Sequence, residues 1–189
     1  MAQPSLDLLV AIGACLGADL GVRYFAGSGQ RLGDRFQAPI IEELIRLLHP
    51  RWIRHPELPV PKARGFVDLA LGLRTRSGGI ECEAQSELRV VDEVLRRQRE
   101  KALAVDELGV VGSPVSTLLL LRSTKQTRDT VRLFEGTFAA AYPARIADAL
   151  AALRGGDAPW PGPTLLWAKL EAGDATILDA PPRGIRVGR

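Results

Sequence analysis

Residues 64 to 85 read RGFVDLALGLRTRSGGIECEAQ, two apolar segments on either side of a turn that holds Ser77, Gly78 and Gly79. In Phe66-Val67-Asp68-Leu69-Ala70-Leu71, successive side chains of an extended backbone leave opposite faces. Asp68 therefore shares a face with Phe66 and Ala70, while Val67, Leu69 and Leu71 fill the other. In Ile80-Glu81-Cys82-Glu83-Ala84-Gln85 the alternation sends Ile80, Cys82 and Ala84 one way and Glu81, Glu83 and Gln85 the other. The stretch is predicted to be a β-hairpin with one acid in its first strand and three polar groups in its second.

Antiparallel pairing gives opposed residues a constant sum of numbers, and an odd sum brings Asp68 to the face of all three polar groups. A sum of 151 opposes Asp68 to Glu83 and a sum of 153 opposes it to Gln85, with Cβ atoms about 4.5–5.5 Å apart. Carboxylates that close repel unless a cation or a proton lies between them. An octahedral Mg²⁺, which takes one or two carboxylates and keeps waters for a substrate phosphate, relieves the repulsion. Taken alone, Glu81, Glu83 and Gln85 form the kind of face a strand turns to water. Asp68 differs, being the only charge between Gly65 and Leu73, where an unpaired carboxylate in a half-buried strand is costly.

Outward from the hairpin, Pro39 to Leu48 reads as a helix with Pro39 at its first position and His49-Pro50 ending it. Ile40, Ile41, Leu44, Ile45, Leu47 and Leu48 form its core face. Glu43 borders that face, three after Ile40 and four before Leu47, with Glu42 on the other border. A border acid is ordinarily solvated, but it is also where a helix can hand a carboxylate to a neighbouring sheet. Arg51 to Arg54 is predicted to be a short strand closed by the proline-rich segment 55–61. His49 and His55 have no partner at ligand spacing.

Downstream, Leu88 to Leu108 reads as a long amphipathic helix with Val91, Val94, Leu95, Leu103 and Leu108 apolar. Its Arg96, Arg97, Arg99 and Lys101, set among Asp92, Glu93 and Glu100, are the makings of a solvated surface that could also meet phosphates. Val115 to Arg122 has the run of apolar residues of a buried strand. A helix from Ser123-Thr124 to Ala141, a restart at Pro143 that stops at Gly155, and a hairpin from Leu165 to Leu178 across Gly173-Asp174 follow.

Near the start, Ser5 is a helix N-cap, with Leu6, Leu9, Val10, Ile12 and Leu16 at helical spacing. Gly27 to Gly33 is a polar, glycine-rich linker. The expected organisation is an N-terminal helical segment 1–26, a domain 34–180 and a mobile tail 181–189. The order helix, three strands, helix, strand, helix, then hairpin argues for an α/β layer fold.

Composition sets the broad class. The chain has 189 residues, 46% hydrophobic and 25% charged, which are the proportions of a globular domain. A net charge of +3 and a pI near 9.2 are compatible with a polyanionic partner without requiring one. Cys15 and Cys82 stand far apart without metal-type spacing, as reduced thiols of a cytoplasm do, and Cys82 is placed in the core. The start MAQPSLDLLV lacks the positive lead of a signal peptide, and the apolar run after it is too short for a bilayer, so a cytoplasmic protein with no membrane partner is expected. Abundant alanine, arginine and glycine beside scarce lysine fit a GC-rich bacterial genome.

An acidic helix, a strand with Asp68, a strand ending Glu83-Ala84-Gln85, then a helix and a strand resemble the PD-(D/E)XK nuclease superfamily over roughly residues 34–122. The segment PSLDLLVAIGACLGADLGVR, Pro4 to Arg23, resembles the last helix of an XRE-type helix-turn-helix domain without its recognition helix. EAQSELR and LLLLRSTKQTRD resemble C-terminal domains attached to such regulators. The resemblance implies a restriction-endonuclease-like αβββαβ core, with a mixed sheet between helices, to which an N-terminal helix and the C-terminal hairpin are added. It implies DNA as partner and Mg²⁺ or Mn²⁺ as cofactor, held by Asp68 and Glu83 with Glu43 supporting a metal-bound water or second ion. Gln85 stands where the superfamily's name has lysine, which removes a positive charge from the site. Two functions follow from different classes: a metal-dependent endonuclease, and a catalytically silent DNA-binding or regulatory domain of a transcriptional regulator. A homodimer is the commonest assembly for such a chain.

Overall fold

The computed structural model describes residues 36–63, 65–155 and 157–189, together with Cys15. Contacts along the chain divide it at Arg31 and Leu32 into two units, and the description below concerns the second. The helix expected from Ser5 and the linker 27–33 lie outside the described residues.

The second unit is an α/β fold, a six-stranded mixed sheet flanked by helices. Helix α1 spans Gln37–Leu47 and leads into β1 (Trp52–Val60), a 3₁₀ turn (Pro61–Ala63), β2 (Gly65–Leu73) and β3 (Gly79–Gln85). Helix α2 (Val91–Leu108) then crosses to β4 (Val115–Arg122). Three helices, α3 (Lys125–Leu133), α4 (Glu135–Ala141) and α5 (Ile146–Arg154), return the chain to β5 (Thr164–Glu171) and β6 (Asp174–Ile177). Strand order equals sequence order, β1 to β6. Pairs β1–β2, β2–β3 and β5–β6 are antiparallel, whereas β3–β4 and β4–β5 are parallel, as strands joined through helices are.

Burial explains the sequence pattern of the central strands. Leu118, Leu119, Leu120 and Leu121 of β4 are all fully buried, the unbroken apolar run of a parallel strand covered on both faces. Ile40 and Leu44 of α1 share a core with Leu69, Leu71, Ile80, Cys82 and Ala84, so α1 covers the apolar side of the hairpin. Helix α2 packs on β3 and β4 and reaches the 3₁₀ turn, burying Val91, Leu95, Ala102 and Val105. It ends on Gly109, whose left-handed φ of 61° makes the stop. Helix α3 starts on a capping box, Thr124 and Thr127 each satisfying the other's backbone N–H.

Four expectations are corrected. The first strand does not end at Arg54 but runs on through Pro56 and Pro59 to Val60, which is feasible because β1 is an edge strand that need not donate on its outer side. The single helix expected as far as Ala141 is broken at Phe134, whose φ/ψ of −108°/32° leaves the helical region. Leu103 and Leu108 are not on the core face of α2: they are 67% and 44% exposed. The tail is packed, with Ile185 and Val187 buried and Ile146 N–H donating to the Gly188 carbonyl at 2.9 Å. Two apolar residues with one residue between them, in a segment rich in Pro, Gly and Arg, gave too little periodicity to show this.

Candidate functional site

The hairpin takes the 151 register: Gly72 pairs with Gly79, Leu71 with Ile80, Ala70 with Glu81 and Leu69 with Cys82. The ladder stops at Leu69 and Cys82, one rung short of where the same register would set Asp68 against Glu83. In its place the Ala84 N–H donates to the Asp68 carboxylate at 2.8 Å, so the side chain of one strand satisfies the backbone of the next. On the other flank of Asp68 the β1–β2 ladder also skips a rung: Pro56 pairs with Leu69 and Leu58 with Val67, leaving Glu57 between them at φ 50°. A left-handed non-glycine residue costs backbone energy, and such distortions concentrate where a side chain is being aimed. Asp68 thus sits where both neighbouring strands part from β2.

The acidic face of β3 is not a solvated surface. Glu81 is fully buried and Glu83 is 7% exposed, because α2 lies over them and the residues it turns inward at this point are Gln98 and Lys101, themselves 3% and 7% exposed. Lys101 Nζ donates to Glu83 Oε1 in an ion pair whose side chains are both 9% exposed. Tyr142, just past the end of α4, donates its hydroxyl to Gln98 Oε1. Among the described residues neither Glu81 oxygen, nor the Gln98 amide nitrogen, completes a hydrogen bond. Gln98 is nevertheless near enough to favour the charged form of Glu81, as is Lys101. They do not win: burial, then the Glu83 charge and more weakly Asp68, hold the Glu81 carboxyl well above its ordinary 4.5. Burial, with the three acids adding to it, likewise raises the Cys82 thiol. The Tyr142 phenol is raised by burial, then by Glu81 and Glu83, against the pull of Arg99.

Of the residues singled out from the sequence, Asp68 and Glu83 come together on one face. Gln85 ends β3 half-buried, paired in register with Leu121. Glu43 is elsewhere: α1 packs on β6 and β3, and the Glu43 carboxylate pairs with Arg46 of its own helix. That pair, with Asp174 of β6 nearby, raises the Arg46 guanidinium pKa. The arginines of α2 are largely engaged, Arg96 with Glu100 and Arg97 with Glu93, both at 2.6 Å.

Two participants were missed as site residues, Lys101 and Gln98, while Glu81, read onto the acidic face, was given no role there. The signal for the first two was present, since Val91, Leu95, Gln98, Lys101 and Val105 fall at steps of three and four along α2. Polar residues that interrupt an apolar stripe at helical spacing point into the interior. Reading Lys101 with its charged sequence neighbours concealed this.

The donors fit a hard cation. They are the carboxylate oxygens of Asp68 and Glu83; Glu81, whose burial favours its neutral form, lies beside them. Among the described residues no three acidic or imidazole groups close a cage, so an ion here would be held by one or two carboxylates and would complete its shell with water and substrate oxygen, in the manner of Mg²⁺.

No family model, curated protein or solved structure matches the chain. Among the described residues no helix is long and apolar enough to cross a membrane.

Proposed function

We propose that this chain carries a PD-(D/E)XK-like, metal-dependent nuclease domain with a restriction-endonuclease-like core, acting on DNA. The observation that carries the reading is that the 151 register puts Asp68 on the face of Glu83, which is paired with a buried lysine. Asp68 and Glu83 are the ligands for Mg²⁺ or Mn²⁺. When bound, the ion supplies Lewis-acid polarisation of the phosphodiester and a water of lowered pKa.

The chain's own groups do the rest. The Ala84 N–H orients the Asp68 carboxylate. Lys101 brings from α2 the positive charge that Gln85 lacks, and it does so against Glu83, where charge develops on a bound phosphate. The Tyr142 hydroxyl fixes the Gln98 amide, which keeps α2 seated over the acids. Gln85, at the open end of β3, can orient a water or phosphate oxygen through its carboxamide. Glu43, held by Arg46, has no part in this arrangement as it stands.

One observation favours the second reading, a silent DNA-binding or regulatory domain. Lys101 already neutralises Glu83, and an ion must share that carboxylate or displace the ammonium. Plasmid nicking in Mg²⁺ or Mn²⁺ decides between them. The nuclease reading expects cleavage that falls at least about 100-fold in Asp68→Asn and Glu83→Gln, each removing a ligand of the ion, and calorimetric ion binding lost in both. Cleavage untouched by either substitution, or no cleavage and no ion binding in the wild-type chain, removes it.

A further inference from the structure

Away from the carboxylates, Arg128, Arg132 and Arg183 line a groove of about 600 Å³ bounded also by Pro182 and Gly184. Arg128 and Arg132 stand four apart on α3, on one helix face, and Arg183 comes from the turn of the C-terminal segment. Arg132 ties the two together: its Nε donates to the Gly184 carbonyl at 3.4 Å, Nη2 to the Arg183 carbonyl at 3.0 Å and Nη1 to Asp129 at 2.7 Å. Gly184 has φ 82°, and a Cβ there would lie 3.1 Å from Arg132 Nη2, so a glycine lets the guanidinium rest on the turn. Just beyond it, Ile185 and Val187 are 1% and 3% exposed, which anchors the segment. Arg128 is steadied by Ser123, through the hydroxyl at 3.2 Å and the carbonyl at 3.4 Å.

The groove is therefore preorganised, and its charge is not cancelled. Each guanidinium has five N–H donors, and the bonds above leave some of them unused on Arg128 and Arg132. Arg183 is exposed and has no ion pair among the described residues. Asp129 is the acid that contacts the cluster, and it also pairs with Lys125 at 3.7 Å. Forked donors with surplus positive charge match phosphate oxygens in geometry as well as sign. The location agrees: Ser123 directly follows β4, and parallel β3 ends at the same edge of the sheet with Gln85 beside Leu121. Ligands of parallel α/β sheets gather outside the carboxyl ends of the strands.

We propose that this groove binds phosphate groups, and that their source is the sugar-phosphate backbone of nucleic acid; the choice of source, though not the anion site itself, rests on the nuclease-like reading above. The test uses the full chain in EDTA, with a fluorescein-labelled DNA duplex followed by anisotropy across about 50–200 mM salt and inorganic pyrophosphate followed by the shift in melting temperature. Arg183→Glu, a change at an exposed side chain, and Arg128→Gln/Arg183→Glu are compared with wild type. The expected result is duplex affinity weakened at least about tenfold in the double variant, with a salt dependence shallower by about one to two ions released, and an unchanged melting temperature without ligand. Pyrophosphate stabilisation that Arg183→Glu abolishes, in a chain that does not retain duplex, supports the anion site and assigns a small phosphorylated molecule as its source. Asp68→Asn in the same assay separates the two readings, since it should lose divalent-ion binding and keep duplex affinity. No binding of either probe by wild type, or binding that Arg183→Glu leaves unchanged, overturns the proposal.

Discussion

The two sides of β3 are buried almost equally and built from opposite chemistry. Ile80, Cys82 and Ala84 enter an apolar core with Ile40 and Leu44, where each contributes by the water it excludes. Glu81 and Glu83 lie under α2 beside Gln98 and Lys101, where each group must find a partner or shed its charge. One side is tolerant of any well-fitting hydrophobe. The other constrains every member at once, because a buried ion pair stabilises little as a whole and costs much when halved.

The largest expected effect comes from halving that pair. Lys101→Met removes the ammonium that faces buried Glu83, and should destabilise the domain by about 3–5 kcal/mol in urea unfolding. Replacing both members with Leu should recover most of the loss, so a double variant as unstable as the single one breaks the contrast between the faces. On the apolar side, Ile80→Ala should cost about 2–4 kcal/mol with no dependence on pH, from lost transfer energy and the cavity left behind.

The third prediction sharpens the comparison through pH. The Glu81 pKa is raised in the folded state, so the folded chain holds a proton that the unfolded chain releases above about 4.5. Its contribution is most favourable below that pH and declines by about 1.4 kcal/mol per unit as pH rises toward the folded value. Glu81→Gln removes this slope, so the variant should gain on wild type as pH rises above about 4.5 until the folded-state pKa is passed, in parallel urea titrations. Parallel curves would mean that Glu81 is charged and partnered in solution.

Much of this architecture was readable. The period-two alternation of 66–71 and 80–85 placed Asp68 on the acidic face, and one of its two allowed registers is the one adopted. The run Leu118 to Leu121 announced a strand covered on both sides. The burial of the acids was not readable, because alternation reports which residues share a face and says nothing of what covers it. That cover comes from α2, whose Lys101 looked like part of a basic surface run. Its place in the inward series Val91, Leu95, Gln98, Lys101, Val105, and its approach to Glu83, eighteen residues earlier, separate it from Arg96 and Arg97, which stay at the surface with Glu100 and Glu93.

The margins of the sheet carry a last implication. One outer strand, β1, contains Pro56 and Pro59, which offer no N–H to a newcomer, and the other, β6, is four residues long. A second copy of the chain seeking to lengthen this unit's sheet would find a poor template at either border. Self-association of this unit would therefore have to use side-chain surfaces rather than main-chain continuation, and the hairpin that bears Asp68 and Glu83, shielded between β1 and β4, is kept from becoming a seed for aggregation.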